Sequence, residues 1–116
     1  MSAETCIFCK ITAGQMGTEF LYEDDLAVVF RDLHPQAPVH LLVVPKRHIP
    51  DVDHLEDGDR ELVGHLFRVA AKVAAEQGFA PEGYKLLVNN GTGGGQVIFH
   101  IHVHVLSGRR LGHVPA

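Results

Sequence analysis

The chain has no apolar run approaching the roughly 20 residues that cross a bilayer, so no membrane span is expected. Met1 to Thr5 has none of the pattern of a signal peptide, and the expected address is the cytoplasm. Positive charge is in the minority, with ten Lys and Arg against fourteen Asp and Glu and a net charge of −4. That balance argues against a nucleic-acid backbone as the main partner, so an anionic ligand must be held locally by histidines and backbone amides. Cysteine is scarce: Cys6 and Cys9 are the only two, and in a reducing compartment they are not expected to form a structural disulfide. Low-complexity segments and internal repeats are missing too. What remains is a single domain over residues 1–116, 46% hydrophobic and 21% charged. A chain of this size buries roughly two thirds of its surface and is small enough for a partner subunit to help.

Histidine, by contrast, is plentiful and patterned. From Gly93 to Leu106 the chain reads Gly-Gly-Gly-Gln-Val-Ile-Phe-His-Ile-His-Val-His-Val-Leu, with three histidines at a strict period of two. This is strand periodicity: His100, His102 and His104 are expected on one face and Ile101, Val103 and Val105 on the other. Same-face neighbours would sit roughly 6.6 Å apart. Upstream, Asn90-Gly91-Thr92-Gly93-Gly94-Gly95 reads as a loop feeding that strand, since ordered glycine loses more conformational entropy than other residues. Three histidines in register behind a loop that can offer backbone N–H groups point to a phosphate site. A metal site is the second functional reading, and the solvated face of an antiparallel strand is the bland one.

The Cys-x-x-Cys pair leaves three readings open: half of a zinc site, two small buried apolar groups, or a redox pair. Only five residues precede it, which does not suit the strand-then-helix setting of a redox motif. Along the chain, Ile7 to Ala13 reads as a short helix ending at Gly14. Phe20 to Glu23 and Ala27 to Asp32 read as strands joined at Asp24-Asp25. The prolines of Leu33 to Pro38 preclude regular structure, and the nearly continuous apolar run from His40 to Pro45 reads as a strand buried on both faces. Apolar residues Leu62, Val63, Leu66, Val69, Ala70 and Val73 recur at helical spacing, predicting one long helix from about Asp59 to Gln77 that stops at Gly78. Its His65 is expected on the surface. Tyr84 to Asn89 completes a set of five strands, and the order predicts an α+β fold, an antiparallel sheet with the helix on one face.

These residues also carry a resemblance. His100-Ile-His-Val-His-Val-Leu106 resembles the His-x-His-x-His-x-x signature of the histidine-triad (HIT) family, and the whole chain is similar to its Hint-like branch of nucleotide-binding phosphoramidases. Ile7-Phe8-Cys9-Lys10-Ile11, Tyr22-Glu23-Asp24-Asp25, Phe30-Arg31-Asp32, Pro35 to His40, Val44 to Ile49 and Val88-Asn89 fall in family order, so the likeness covers about residues 5 to 110.

The resemblance implies a HIT-like fold with a five-stranded antiparallel sheet, one long and one short helix, and a homodimer in which two sheets become continuous. It places the nucleophile on His102, supported by His104 and His40, and the phosphate contacts on Asn89, Gly95 and Gln96. It places the ribose-binding carboxylate on Asp32 and the purine slot on Ile7, Phe8, Ile11, Phe30 and Leu33. A structural zinc would take Cys6, Cys9, His48 and His100. The implied activity is hydrolysis of the P–N bond of a purine nucleoside 5′-phosphoramidate, an AMP derivative, through a nucleotidyl-histidine. A dinucleoside polyphosphate hydrolase and a non-enzymatic nucleotide-binding module are the alternatives. Two departures from the family pattern stand out. Val97 occupies a position where many relatives have Ser, and Gly112 to Ala116 lacks the aromatic residue that some relatives carry.

Overall fold

Alternation along three strands gives the molecule two cores, one on each face of its sheet. The computed structural model describes residues 3–112. In chain order it has helix α1 (Ile7–Thr12), strands β1 (Tyr22–Glu23), β2 (Ala27–Arg31) and β3 (Val39–Pro45), helix α2 (Arg60–Glu76), and strands β4 (Lys85–Leu87) and β5 (Val103–Ser107). The sheet runs β1-β2-β3-β5-β4 with every pairing antiparallel, the α+β architecture expected from the sequence.

Because side chains alternate across a strand, Ala27, Val29, Leu41, Val43, Val103 and Val105 pack toward α2, against Leu66, Val69, Ala70, Val73 and Ala74. These helix positions repeat at three and four, so one stripe meets the sheet and the other faces solvent. Cutting Leu66 to Ala in this layer would cost about 2–5 kcal/mol. The alternate residues Val28, Phe30, Leu42 and Val44 face the other way and pack with Phe8 of α1 and with Cys6. All the chemistry described below lies on this second face. His65 is not a free surface residue: its Nε2 meets Asp24 Oδ2 at 2.6 Å and ties α2 to the β1–β2 turn. Burial opposes the charge on Asp24, yet hydrogen bonds from Tyr22, from the Leu26 and Ala27 amides and from His65 hold its carboxyl well below the usual carboxylate range.

Helix α2 matches its expected span to within one residue at each end, because its stop is local: Gly78 adopts φ +85°, a conformation open to glycine. The edge strands β1 and β4 are shorter than the periodicity suggested, since each has a ladder partner on one side only. The histidine strand differs most. It begins at Val103, so His100 and His102 precede it. The His100 carbonyl accepts a hydrogen bond from the His102 ring at 2.7 Å, and the His100 ring turns away toward the cysteines. Side-chain chemistry thus displaces regular pairing there, and the His102 and His104 rings lie 4.9 Å apart rather than at the strand repeat. Downstream, Gly108 at φ +95° passes so close to Pro38 that a Cβ would lie 2.7 Å from its ring, fixing the exit of β5 against the proline loop.

Candidate functional site

Strands β3 and β5 are central and adjacent, and their register sets the first pair of histidines. Leu106 lies opposite His40 and Leu42 opposite His104, so the two histidines are diagonal neighbours on one face. Their rings meet with His40 Nε2 2.9 Å from His104 Nδ1. The direction of this bond follows from the far side of His40, where Nδ1 accepts the Gln36 main-chain N–H at 3.0 Å. A neutral imidazole has one donor and one acceptor, so His40 carries its proton on Nε2 and donates it to His104. His104 then keeps its own proton on Nε2. Asp32 Oδ2 lies 3.4 Å from His40 Nε2, and its Oδ1 accepts the His34 N–H at 2.8 Å.

His102 is fixed by the same logic. A carbonyl can only accept, so the 2.7 Å contact with the His100 oxygen puts the proton on Nδ1 and leaves Nε2 a free lone pair. The Phe8 ring meets the His102 ring edge-on at 5.0 Å between centroids and holds its plane. Burial is the main reason that all three rings favour the neutral form. It lowers His40 against the pull of Asp32, lowers His102 against its bond to the His100 carbonyl, and brings His104 down to about 4 with help from His102 and His40.

These residues line a cavity of about 540 Å³. Ile7, Phe8 and Ile11 from α1 and Phe30 from β2 form an apolar wall, with Asp32, Leu33, Asn89, Gly95, Gln96, His40, His102 and His104 around the rest. Every residue proposed from sequence for substrate contact or catalysis reaches this one cavity. Leu33, read as part of the purine slot, is 89% exposed and forms its outer lip. Gly95 sits at φ +88° with the Asn89 amide 3.3 Å from where a Cβ would be, so loop and amide close together. Gln96 is buried and holds the loop from both ends, accepting from Gly91 N–H at 2.8 Å and donating to the Pro50 carbonyl at 2.7 Å. Thr18, Arg31, His34, Gln36, Leu42 and Ile98 also line the cavity and were missed. Leu42 was recoverable, being one strand period from His40. The Gln36 contribution is a main-chain N–H, which side-chain identity does not reveal.

His100 does not line the cavity; it is fully buried beside the cysteines. Its Nδ1 lies 3.3 Å from Cys6 Sγ and 3.5 Å from Cys9 Sγ, while His48 Nδ1 lies 3.2 Å from Cys9 Sγ and 3.3 Å from His100 Nδ1. The four ligand atoms lie within 4.8 Å of one another. Tetrahedral zinc with bonds of about 2.0–2.3 Å has edges of roughly 3.3–3.8 Å between N and S ligands. The donor set fits: two sulfurs, two imidazoles, and a His100 Nε2–H that donates to the Pro45 carbonyl at 2.7 Å, which frees Nδ1 as a lone pair. Burial and the neighbouring Cys6 push the Cys9 thiol up to about 11, and His48 Nε2 is buried without a hydrogen-bond partner among the described residues while its Nδ1 faces Cys9 and His100.

A second group, Asp32, His40 and His104, also brings ligand atoms within 4.8 Å. It does not present a converging set of lone pairs, because the proton between His40 and His104 occupies the place an ion would need, and Gln36 N–H holds it there.

A histidine relay, a glycine loop and an apolar wall on one face of this sheet define a histidine-triad protein. The chain belongs to the HIT domain family, whose sequence model matches residues 13–111. Purine nucleoside phosphoramidases of Escherichia coli K12 and of Shigella flexneri are each 43% identical to it over 110 residues, covering 95% of this chain and 92% of theirs. Among solved structures, a HIT family hydrolase from Legionella pneumophila Philadelphia 1 superposes with a TM-score of 0.93 at 41% identity, covering 97% of this chain and 100% of that one. A Zn-bound histidine triad family protein from Mycobacterium smegmatis has a TM-score of 0.78 at 30% identity, covering 93% and 78%.

Proposed function

We propose that this chain is a nucleotide-binding hydrolase that cleaves the P–N bond of purine nucleoside 5′-phosphoramidates, AMP derivatives above all, through a covalent nucleotidyl-His102. The observation that carries this reading is the tautomer of His102: with Nδ1–H on the His100 carbonyl, its Nε2 lone pair is a nucleophile that needs no base. His102 Nε2 attacks the α-phosphorus as the substrate's P–N bond breaks, and the nitrogen leaves as the amine with a proton from solvent, which the attacking water returns in the second step. His104 Nε2–H faces the developing charge or the departing nitrogen, and His40 holds it in that tautomer. Water then hydrolyses the P–N bond to His102 and releases the nucleotide.

Asp32 takes the ribose hydroxyls, Asn89, Gly95 and Gln96 the phosphate, and Ile7, Phe8, Ile11, Phe30 and Leu33 the purine. Zinc at Cys6, Cys9, His48 and His100 would hold two thiolates and staple α1 to the sheet, with no part in bond making. The reading includes a homodimer, favoured by the short edge strand β4 with Leu86 exposed and by the exposed Phe67 on α2. It also includes a cytoplasmic address.

The test is a panel of nucleoside phosphoramidates assayed for released nucleotide, with a diadenosine polyphosphate beside them and rapid quench to trap the intermediate. Amidate turnover with label on His102 is the expected result. Faster turnover of the polyphosphate would move the substrate class, and nucleotide binding without turnover would leave a binding module.

A further inference from the structure

His100 commits its polar atoms in two directions. Its ring belongs to the cysteine set, while its main-chain carbonyl accepts the His102 Nδ1–H at 2.7 Å. That carbonyl lies outside β5, which begins only at Val103, so strand pairing does not orient it. What braces it is the neighbouring segment: Ile101 N–H donates to the Ile49 carbonyl at 2.7 Å, directly after His48, whose ring lies 5.1 Å from that of His100. Phe8 closes the other side, 5.9 Å from the His100 ring and 5.0 Å from His102. It sits on α1, whose N-cap is Cys6. The set that would hold a zinc ion therefore surrounds the peptide that orients His102.

We propose that His100 is a positioning residue, and that a zinc-class ion on Cys6, Cys9, His48 and His100 fixes the carbonyl that holds His102 as its Nδ1–H tautomer. The metal set then governs kcat as well as stability, through a backbone oxygen rather than through the ion's own chemistry. The inference rests on the reading of His102 as nucleophile. Its structural half does not: the tautomer of His102 is observable without substrate. A purely stapling metal would change the melting temperature and leave that tautomer alone.

His48 separates the two, because it is a member of the set that neither lines the cavity nor contacts His102. In zinc-loaded wild-type protein, nitrogen-15 spectra of the imidazoles should show His102 as one Nδ1–H tautomer. His48→Ala, kept well below its melting temperature, should lose zinc and show a second His102 tautomer. Its kcat should fall about tenfold or more, the range seen when the support of a site is removed. KM should stay within about threefold, since the lost interaction acts in the transition state. His48→Cys, which offers a three-cysteine, one-histidine zinc set, should restore the metal, the single tautomer and kcat together.

A folded, zinc-poor His48→Ala protein with an unchanged His102 spectrum would overturn the inference. A shifted tautomer with unchanged kcat would instead overturn His102 as nucleophile, and the catalytic half of the inference with it. If His48→Ala does not fold, chelator-stripped wild-type protein at low temperature gives the same two readouts under the same criteria.

Discussion

The His48–His100 and His40–His104 pairs have the same ring separation, 5.1 Å between centroids, and opposite chemistry. In the first pair two Nδ1 atoms face each other at 3.3 Å beside two sulfurs, so four metal-ligating atoms gather at one point. In the second, Nε2 faces Nδ1 at 2.9 Å with a proton between them, so donor and acceptor alternate. The atoms that decide are on the far sides of the rings. The Pro45 carbonyl accepts a hydrogen bond from His100 Nε2–H, whereas the Gln36 N–H donates one to His40 Nδ1. A carbonyl behind a ring makes a ligand or a nucleophile of its front nitrogen, and an N–H behind it makes a donor.

The strongest test of this contrast falls on His102, which has a carbonyl behind it and sits between the two pairs. His102→Ala should lower turnover by about 10³-fold or more while nucleotide affinity stays within about tenfold. Steady-state turnover retained in that variant would move the chemistry elsewhere. Next in size is the metal-type pair: a Cys6→Ala, Cys9→Ala protein should melt at least about 10 °C lower by calorimetry, since structural zinc contributes folding free energy. An equal melting temperature would show that gathered ligand atoms are not enough to make a site. For the relay pair, His104→Ala should cost about 10²-fold in kcat, as expected for one positioned proton donor.

The gentlest effect is on pH. Burial, with help from His102 and His40, holds His104 near 4, while an unfolded histidine titrates near 6.5. Between those values the unfolded chain binds a proton that the native chain refuses, so stability is full above about 6.5 and falls as pH drops toward 4. The loss is up to about 3 kcal/mol before solvent screening, readable as a shift in denaturation midpoint. His104→Gln should reduce that dependence, the remainder coming from His40 and His102, which burial also lowers, and an unreduced profile would assign it to those groups.

Sequence periodicity located α2 to within a residue and all five strands, because amphipathic burial and the Gly78 stop are local properties. It overextended β1 and β4, whose lengths depend on having one ladder partner rather than two. It read His100, His102 and His104 as one strand face, whereas each of the three joins a different arrangement. Their partners explain the miss: Cys6 precedes His100 by 94 positions and His40 precedes His104 by 64, distances at which no local pattern speaks. Family resemblance supplied the metal-type set, with His48 in it, where the residue alone read as a cap or surface histidine. The Gln36 amide was beyond both, since a main-chain N–H leaves no trace in residue identity.

The two-residue spacing of His100, His102 and His104 has a genetic consequence. Three separate tasks, each with its own partners, are threaded on five consecutive residues, so losing or gaining a single codon between them would misplace all three at once. Substitutions can be tried there one position at a time, but a change of length cannot be absorbed. Deletion scanning across residues 96–107 should therefore give a continuous block of inactive proteins, while the same scan between Gly14 and Gly17, where residues 14–17 are exposed, should leave tolerated members.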